Sequence, residues 1–308
     1  MNFEASAPIE VPKIVSDAQT QSFVDNGYLV VPDLLSLDEI EELRQDTVTI
    51  AKGGHPCDNL EPLPDDISDT EVISRILCIH QPHFISPIIE KYVKHPKICG
   101  ILSQIAAAHL PHSHWDGSVK CMQSMLFVKP PNFQGQAWHQ DEIYIPTRDR
   151  SLIGAWIAMD DATVENGCLW ILPGSHRRGY LYPQKPHENP DEFDFAEESY
   201  GFDDTSEVPV EVTTGSLVFF NGYLLHRSRK NRGDTFRRVL VNHYCNAWSL
   251  LPWSLRDGER PASADRRCIV PVSGVDPYAW KGYDKPPKTV SLRTCKAVQE
   301  IEEASDAD

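Results

Sequence analysis

Long apolar segments and closely spaced cysteines are both missing from this chain of 308 residues. Its richest apolar run, residues 152–159, is far shorter than the roughly 20 residues that a membrane-spanning helix needs. The eight cysteines lie too far apart for a zinc finger or a Cys-x-x-Cys redox pair. The N-terminus has no basic region followed by an apolar stretch, so no secretory signal is expected. These absences predict a cytoplasmic protein whose thiols are reduced.

Basic side chains are scarce relative to acidic ones. The chain has 29 Lys and Arg against 45 Asp and Glu, which is a formal net charge of −16. Such a charge repels nucleic-acid phosphates and anionic membrane surfaces, so neither is an expected partner. Hydrophobic residues make up 41% of the chain, a composition typical of a protein with a packed core. The expected partner is a small-molecule substrate, and no pattern in the sequence indicates the oligomeric state.

Three segments of different character follow one another along the chain. Residues 1–16 are expected to form a loose leader and residues 291–308 an acidic tail. Between them, residues 17–290 are predicted to form a single domain that begins with helices. From about residue 120, short apolar runs alternate with Pro/Gly turns, a pattern typical of a barrel or jelly roll. The predicted fold is therefore mainly β with flanking helices.

Several elements before residue 120 have recognisable boundaries. Ser36 and Glu39 form the sequence pattern of a capping box, which predicts the start of a helix there. Residues 28–31 are predicted to form a strand that ends at Pro32. A second helical region is predicted from Pro87 to about Leu110.

An acidic insertion interrupts the predicted strands. Eight of the seventeen residues from 191 to 207 are acidic, and aromatic residues lie between them. The preferred interpretation is a solvated surface loop. The alternative is a lid whose aromatic side chains close over a substrate.

The chemistry of the chain is predicted from its histidines. His139 and Asp141 are two residues apart after a Pro/Gly turn, and on extended backbone both side chains point the same way. His226 lies 87 residues further on, where it is predicted to end an apolar strand that contains Tyr223-Leu224-Leu225. Two histidines and one carboxylate on one face of an octahedron are the ligand set of non-haem Fe(II) oxygenases. We therefore predict that His139, Asp141 and His226 bind iron and form the catalytic centre.

A cationic side chain follows the third ligand at a suitable distance. A 2-oxo acid that chelates iron through one end needs a fixed, charged partner at its other carboxylate, which Arg provides. Arg237 begins a strand and shares a face with Val239 and Val241, whereas Arg238 shares the other face with Leu240. The β-branched face is the better candidate for the interior, so Arg237 is the predicted anchor.

From about Phe23 to Trp248 the sequence resembles the phytanoyl-CoA dioxygenase (PhyH) family of Fe(II)/2-oxoglutarate oxygenases. The resemblance rests on several motifs: Gly27-Tyr28-Leu29-Val30-Val31-Pro32, His139-Gln140-Asp141, Asn166-Gly167-Cys168-Leu169-Trp170, Gly174-Ser175-His176, and His226 followed by Phe236-Arg237. It implies a double-stranded β-helix, a cupin-like jelly roll. It also implies Fe(II), 2-oxoglutarate as co-substrate, O2, and hydroxylation of a small organic molecule with release of succinate and CO2.

The resemblance implies further contacts to the co-substrate. In similar family members, a Lys on the helix before the barrel, a Met on an early strand and a Trp after the His-x-Asp motif also touch it. Lys91, Met125 and Trp156 match those positions. Related halogenases lack the carboxylate of the triad, so Asp141 favours hydroxylation.

The sequence also allows other interpretations of its histidines and of its function. His112, His114 and Asp116 alternate between Pro111 and Gly117 and could form a cupin-type metal site, although the flanking residues favour a loop. His243 could line the pocket, and His80 and His83 could face a substrate. The chain could also be a metal-binding jelly-roll protein that binds or senses a ligand without turnover.

Overall fold

The computed structural model describes residues 7–64, 66–194, 196–251 and 264–294. Five α-helices precede most of the sheet. They are α1 (Asp17–Asn26), α2 (Leu37–Ala51), α3 (Asp69–Ser74), α4 (Pro87–Val93) and α5 (Pro96–Ile105). Among these described residues, no helix has the length and apolar character that crossing a bilayer requires.

Local sequence accounts for several helix boundaries. The Ser36 hydroxyl accepts a hydrogen bond from the Glu39 backbone N–H, while the Glu39 carboxylate accepts one from the Ser36 backbone N–H. This reciprocal pair is the predicted capping box. The predicted helix from Pro87 to Leu110 is two helices, because Pro96 lacks the backbone N–H that a continuous helix would need there.

Fourteen strands are found in the described part of the chain. They are β1 (Tyr28–Val31), β2 (Ile76–His80), β3 (Val119–Lys129), β4 (Gln136–His139), β5 (Ile153–Ala158), β6 (Leu169–Ile171), β7 (Gln184–Lys185), β8 (Glu198–Ser199), β9 (Val208–Val210), β10 (Leu217–Asn221), β11 (His226–Ser228), β12 (Arg237–Asn246), β13 (Val270–Ser273) and β14 (Ser291–Thr294). Strand β1 has the predicted bounds. His226 begins its strand rather than ending one, because the apolar residues before it belong to a turn.

The strands form two principal sheets. The larger has the order β1-β10-β5-β12-β3-β2-β14, with β13 also paired to β3, and the smaller has the order β4-β11-β6-β9. All the strand pairs within both sheets are antiparallel. Two antiparallel sheets with crossing connections are the predicted jelly roll.

Apolar side chains are buried on both faces of the larger sheet. One cluster lies between that sheet and the helices, and includes Ile40, Ile101 and Phe219. A second cluster, which includes Trp156 and Ile171, lies between the two sheets. The helices therefore cover the outer face of the larger sheet and leave its inner face to the site.

Both predicted terminal segments are corrected in part. Residues 7–16 are not loose: Ile9 pairs with Gly274, and the Gln104 side chain binds the backbone of Ile14 and Val15. Residues 291–294 belong to β14, which pairs with β2, rather than to a tail. Residues 295–308 lie outside the described residues.

Replacement of Gln104 by alanine tests how the N-terminal segment is attached. The Gln104 amide accepts from the backbone N–H groups of Ile14 and Val15 and donates to the Val15 carbonyl. We expect Gln104→Ala to lower the free energy of unfolding by about 1 kcal/mol. Hydrogen exchange at the Ile14 and Val15 amides should accelerate.

Urea denaturation and amide exchange measure these two effects. Gln45→Ala is the matched control, because the Gln45 side chain donates a hydrogen bond to Glu41 within the same helix, α2, and holds no other segment of the described chain. Unchanged exchange at both amides in Gln104→Ala would show that other contacts hold the segment in place.

Candidate active site

A cavity of about 580 Å³ opens between the two sheets. Its walls come from the inner faces of β2, β3, β5 and β12 on one side, and from β4, β6 and β11 on the other. The three predicted metal ligands and Arg237 line this one cavity. Residues separated by up to 98 positions in the chain therefore meet at a single site.

His139, Asp141 and His226 converge in this cavity. His226 on β11 is paired directly with His139 on β4, so the two imidazoles are neighbours, with ring centroids 4.1 Å apart. The Asp141 Oδ1 atom lies 3.7 Å from His139 Nε2 and 3.6 Å from His226 Nε2. Among the described residues, these three form the one group of His, Cys, Asp and Glu side chains that could hold a metal ion.

Backbone conformation positions the carboxylate. Gln140 has extended dihedral angles, so the side chains on either side of it point the same way, as predicted. Its own amide points elsewhere and donates to the carbonyls of Tyr180 and Tyr223. Gln140 thereby attaches the ligand-bearing turn to two neighbouring loops.

Hydrogen bonds determine which imidazole nitrogens face the centre of the triad. His139 Nδ1 donates to the Ala137 carbonyl at 2.8 Å, and His226 Nδ1 donates to the Leu224 carbonyl at 2.9 Å. In the neutral rings, Nε2 then carries a free lone pair directed toward Asp141. Such a bond from the second ring nitrogen is the usual partner of a metal-binding histidine.

The surroundings maintain the protonation states that a metal requires. Burial, followed by the neighbouring His226, lowers the pKa of His139 to about 4. Burial alone would raise the pKa of Asp141, but His226, His243 and His139 together hold it well below its usual range. An unprotonated imidazole and an ionised carboxylate therefore coexist at neutral pH. The donor set fits a divalent cation such as ferrous iron.

Arg237 is a buried cation in the same cavity. Its side chain lies over the ring of Trp156, with Cζ 5.6 Å from the ring centroid. Burial lowers its pKa to about 10, so it remains charged at neutral pH. Within the described residues, Arg237 Nε has no hydrogen-bond partner. A buried guanidinium with an unused donor fits an anionic ligand.

A family model described as "Phytanoyl-CoA dioxygenase (PhyH)" matches residues 23–239.

The chain belongs to the phytanoyl-CoA dioxygenase family. Membership confirms the resemblance noted in the sequence. Together with the triad, it confirms the predicted cofactors, ferrous iron and 2-oxoglutarate.

Curated relatives carry the same family name. "Phytanoyl-CoA dioxygenase 1" of Oryza sativa subsp. japonica is 26% identical over 276 residues, which are 79% of this chain and 94% of that protein. "Phytanoyl-CoA dioxygenase, peroxisomal" of Rattus norvegicus is 29% identical over 260 residues, covering 75% of this chain and 68% of the rat protein. The similarity thus extends over most of the chain.

Solved structures share the fold of this family member. EvdO2 from Micromonospora carbonacea var. aurantiaca, solved with 2-oxoglutarate, is 23% identical and has a TM-score of 0.57, covering 83% of this chain and 99% of that one. The carbocyclase SnoK from nogalamycin biosynthesis is also 23% identical, with a TM-score of 0.56, and covers 79% of this chain and 89% of its own. These similarities confirm the predicted jelly-roll fold.

Of the three further residues assigned from the family resemblance, two line the cavity and one does not. Met125 and Trp156 both line the cavity, and their contact with the co-substrate stays a prediction. Lys91 does not line it: it lies on α4, 54% of its side chain is exposed, and its Nζ donates to Glu42 at 2.6 Å. The assignment of Lys91 is therefore corrected. From the part of the chain before β3, the cavity lining includes Leu77 and His80 of β2.

Some cavity residues were not identified from the sequence. Gln123 and Lys129 lie on the same face of β3 as Met125, which an alternation of two residues could have indicated. Lys129 is paired with Arg237 across β3 and β12, and Ser228 on β11 accepts a hydrogen bond from its Nζ at 3.1 Å. Their positions depend on strand pairing, for which the sequence contained no direct signal.

The structure also shows where several other histidines singled out in the sequence lie. His243 and His80 line the cavity, whereas residues 112–114 form a short 3-10 turn. This 3-10 turn is not the strand that an alternating metal site would need.

The acidic insertion contributes one wall of the cavity. Asp194, Ala196 and Glu197 line it, and Asp194 forms an ion pair with Arg293 at 2.7 Å. Farther along, Phe202 packs against Trp138. The segment is thus partly integrated into the site instead of being wholly a solvated loop. Whether it moves as a lid stays a prediction.

Removal of one ligand tests the metal centre directly. We expect Fe(II), added anaerobically at 100 times its dissociation constant, to stabilise the wild-type protein by about 2.7 kcal/mol. His226→Ala should abolish this stabilisation, because one of three buried donors is lost. Thermal melts with and without Fe(II) measure it.

His114→Ala is the control for the alternative metal site in residues 112–116. It should leave the stabilisation by Fe(II) intact. Loss of stabilisation in His114→Ala, with retention in His226→Ala, would assign the metal to that turn.

Proposed function

We propose that this chain is an Fe(II)- and 2-oxoglutarate-dependent hydroxylase that acts on a small organic molecule. The observation that carries the proposal is the convergence of three metal-ligand side chains and a buried arginine on one cavity. Three protein ligands leave coordination positions available for a chelating co-substrate and O2. With these groups bound, the centre supplies oxidative decarboxylation of 2-oxoglutarate to succinate and CO2, coupled to hydroxylation of a C–H bond.

The protein holds its ligand atoms in a defined arrangement. His243 Nε2 donates to Asp141 Oδ2 at 3.0 Å, which leaves Oδ1 facing the two imidazoles. The two ligand histidines are fixed by hydrogen bonds to backbone carbonyls. The ring of Phe220 packs against His226, with centroids 4.6 Å apart. These contacts orient the site before any ligand arrives.

Arg237 would bind the distal carboxylate of 2-oxoglutarate. Its guanidinium is charged, buried and partly unpaired within the described structure. Lys129 lies beside it, although burial and then Arg237 itself lower the pKa of that amine well below its ordinary value. Trp156 and Leu169 provide apolar walls that keep water from the co-substrate. The cytoplasmic location and the small-molecule substrate stay predictions.

Arg237 and Arg238 offer a matched pair for testing the anchor. Arg237 faces the cavity, whereas the neighbouring Arg238 faces away and binds Asp160 at 2.7 Å. We expect Arg237→Gln to weaken binding of 2-oxoglutarate by about 100-fold, because a buried charge partner is removed. Arg238→Gln should leave this affinity within about twofold.

Anaerobic titration of the Fe(II) protein with 2-oxoglutarate, followed by visible absorbance, measures both affinities. Admission of air and assay of succinate then separate an enzyme from a binding protein. Asp141→Ala should lose succinate formation. Full turnover in Asp141→Ala would contradict the proposal, and absorbance without succinate under a broad substrate panel would favour the binding protein.

A further inference from the structure

Facing pairs of side chains on β3 and β12 form a ladder along the cavity. The strand register pairs Lys129 with Arg237, Phe127 with Val239, Met125 with Val241, and Gln123 with His243. Arg237 makes the ladder cationic at one end, its middle is apolar, and its other end is polar. The two ends are six residues apart on β3, which corresponds to roughly 20 Å.

The two ends of the ladder have different chemistry. The end with Arg237 suits the carboxylate of the co-substrate. At the other end, His243 is hydrogen-bonded to Asp141, so this end adjoins the metal ligands. A substrate must lie near the metal without occupying the co-substrate's place. The end formed by Gln123 and His243 meets that requirement.

Two polar atoms at this end lack partners. The Gln123 side chain is 8% exposed and the His243 side chain is similarly buried. Within the described residues, neither Gln123 Oε1 nor His243 Nδ1 has a hydrogen-bond partner. Buried polar atoms are normally satisfied, so these two indicate the position of a ligand group.

The contacts of the two side chains leave one atom of each for a ligand, and the Gln123 amide oxygen can only accept a hydrogen bond. Gln123 Nε2 lies 3.4 Å from His80 Nδ1, and this contact directs the amide oxygen away from His80. His243 Nε2 is bonded to Asp141 Oδ2, so the unpartnered Nδ1 on the other side of the ring is the nitrogen that remains for a ligand. A carbonyl or carboxylate brings only lone pairs and would leave the Gln123 amide oxygen unsatisfied.

Resting on the proposed function, we propose that Gln123 and His243 bind a polar substrate group that donates a hydrogen bond to the Gln123 amide oxygen. A primary amine and a pair of adjacent hydroxyls share this chemistry. The rest of the substrate would be apolar, because Met125, Val241 and Leu77 line the adjoining wall.

Four six-carbon probes test this specificity: hexylamine, 1,2-hexanediol, 2-hexanone and hexanoate. Isothermal titration calorimetry on the full chain measures their affinity, both metal-free and loaded anaerobically with Fe(II) and 2-oxoglutarate. We expect hexylamine or 1,2-hexanediol to bind at least about tenfold more tightly than the ketone and the carboxylate. The stronger of the two donor probes identifies the source of the donor group.

Variants at Gln123 test whether the preference for donor probes depends on this side chain. Gln123→Leu should weaken the favoured donor probe by about tenfold and leave the ketone unchanged, because it removes one acceptor. Gln123→Glu retains an acceptor oxygen and should preserve binding of hexylamine. Gln134→Leu is the matched control: Gln134 also lines the cavity, but its amide donates to the Pro190 carbonyl.

Three results would overturn this specificity: no binding of either donor probe, equal or tighter binding of the ketone or carboxylate, or an equal loss of all probes in Gln123→Leu. If Gln123→Leu fails to fold, the affinities of the four probes for the wild-type protein and for Gln123→Glu still test the proposal. Failure of the proposed function gives a different result. The wild-type protein would then show no absorbance change with Fe(II) and 2-oxoglutarate, whatever the metal-free protein binds.

Discussion

The direct pairing of His226 with His139 across β4 and β11 is the constraint on which the site depends. Opposed residues of antiparallel strands project from the same face, so this register alone makes the two imidazoles neighbours. The extended backbone at Gln140 then directs Asp141 toward the same point. A shift of one residue would turn a ligand to the other face of the sheet and disperse the donor set.

Burial at that point has an electrostatic consequence. The enclosed histidine keeps a low pKa, while the imidazoles around Asp141 hold its carboxyl ionised. Burial and the neighbouring side chains thus determine the protonation states of His139 and Asp141. The outer helices contribute indirectly, because they cover the far face of the larger sheet and leave the inner face available to the cavity.

The inner face of β3 and β12 connects two kinds of recognition. Arg237 makes one end cationic. At the other end, Gln123 and His243 each have a polar atom without a hydrogen-bond partner among the described residues. A co-substrate with a carboxylate and a substrate with donors would therefore approach the metal from regions of different polarity. The order of side chains along two strands would keep the two ligands from exchanging places.

Much of this could be predicted from the sequence, because some patterns are local. The capping box at Ser36, the strand 28–31 and the His139-x-Asp141 spacing depend on neighbouring residues alone. The inward position of Arg237 follows from alternation along one strand. Family membership could be predicted because its motifs are contiguous stretches of sequence.

Only the tertiary structure decided which strands are paired and which side chains share a wall. It removed Lys91 from the site, since α4 packs outside the sheet and Lys91 binds Glu42 instead. It brought Gln123 opposite His243, a contact across 120 residues of chain that no local pattern encodes. Periodicity determines the face on which a side chain lies, whereas its partner depends on strand register, which is set by packing of the whole domain.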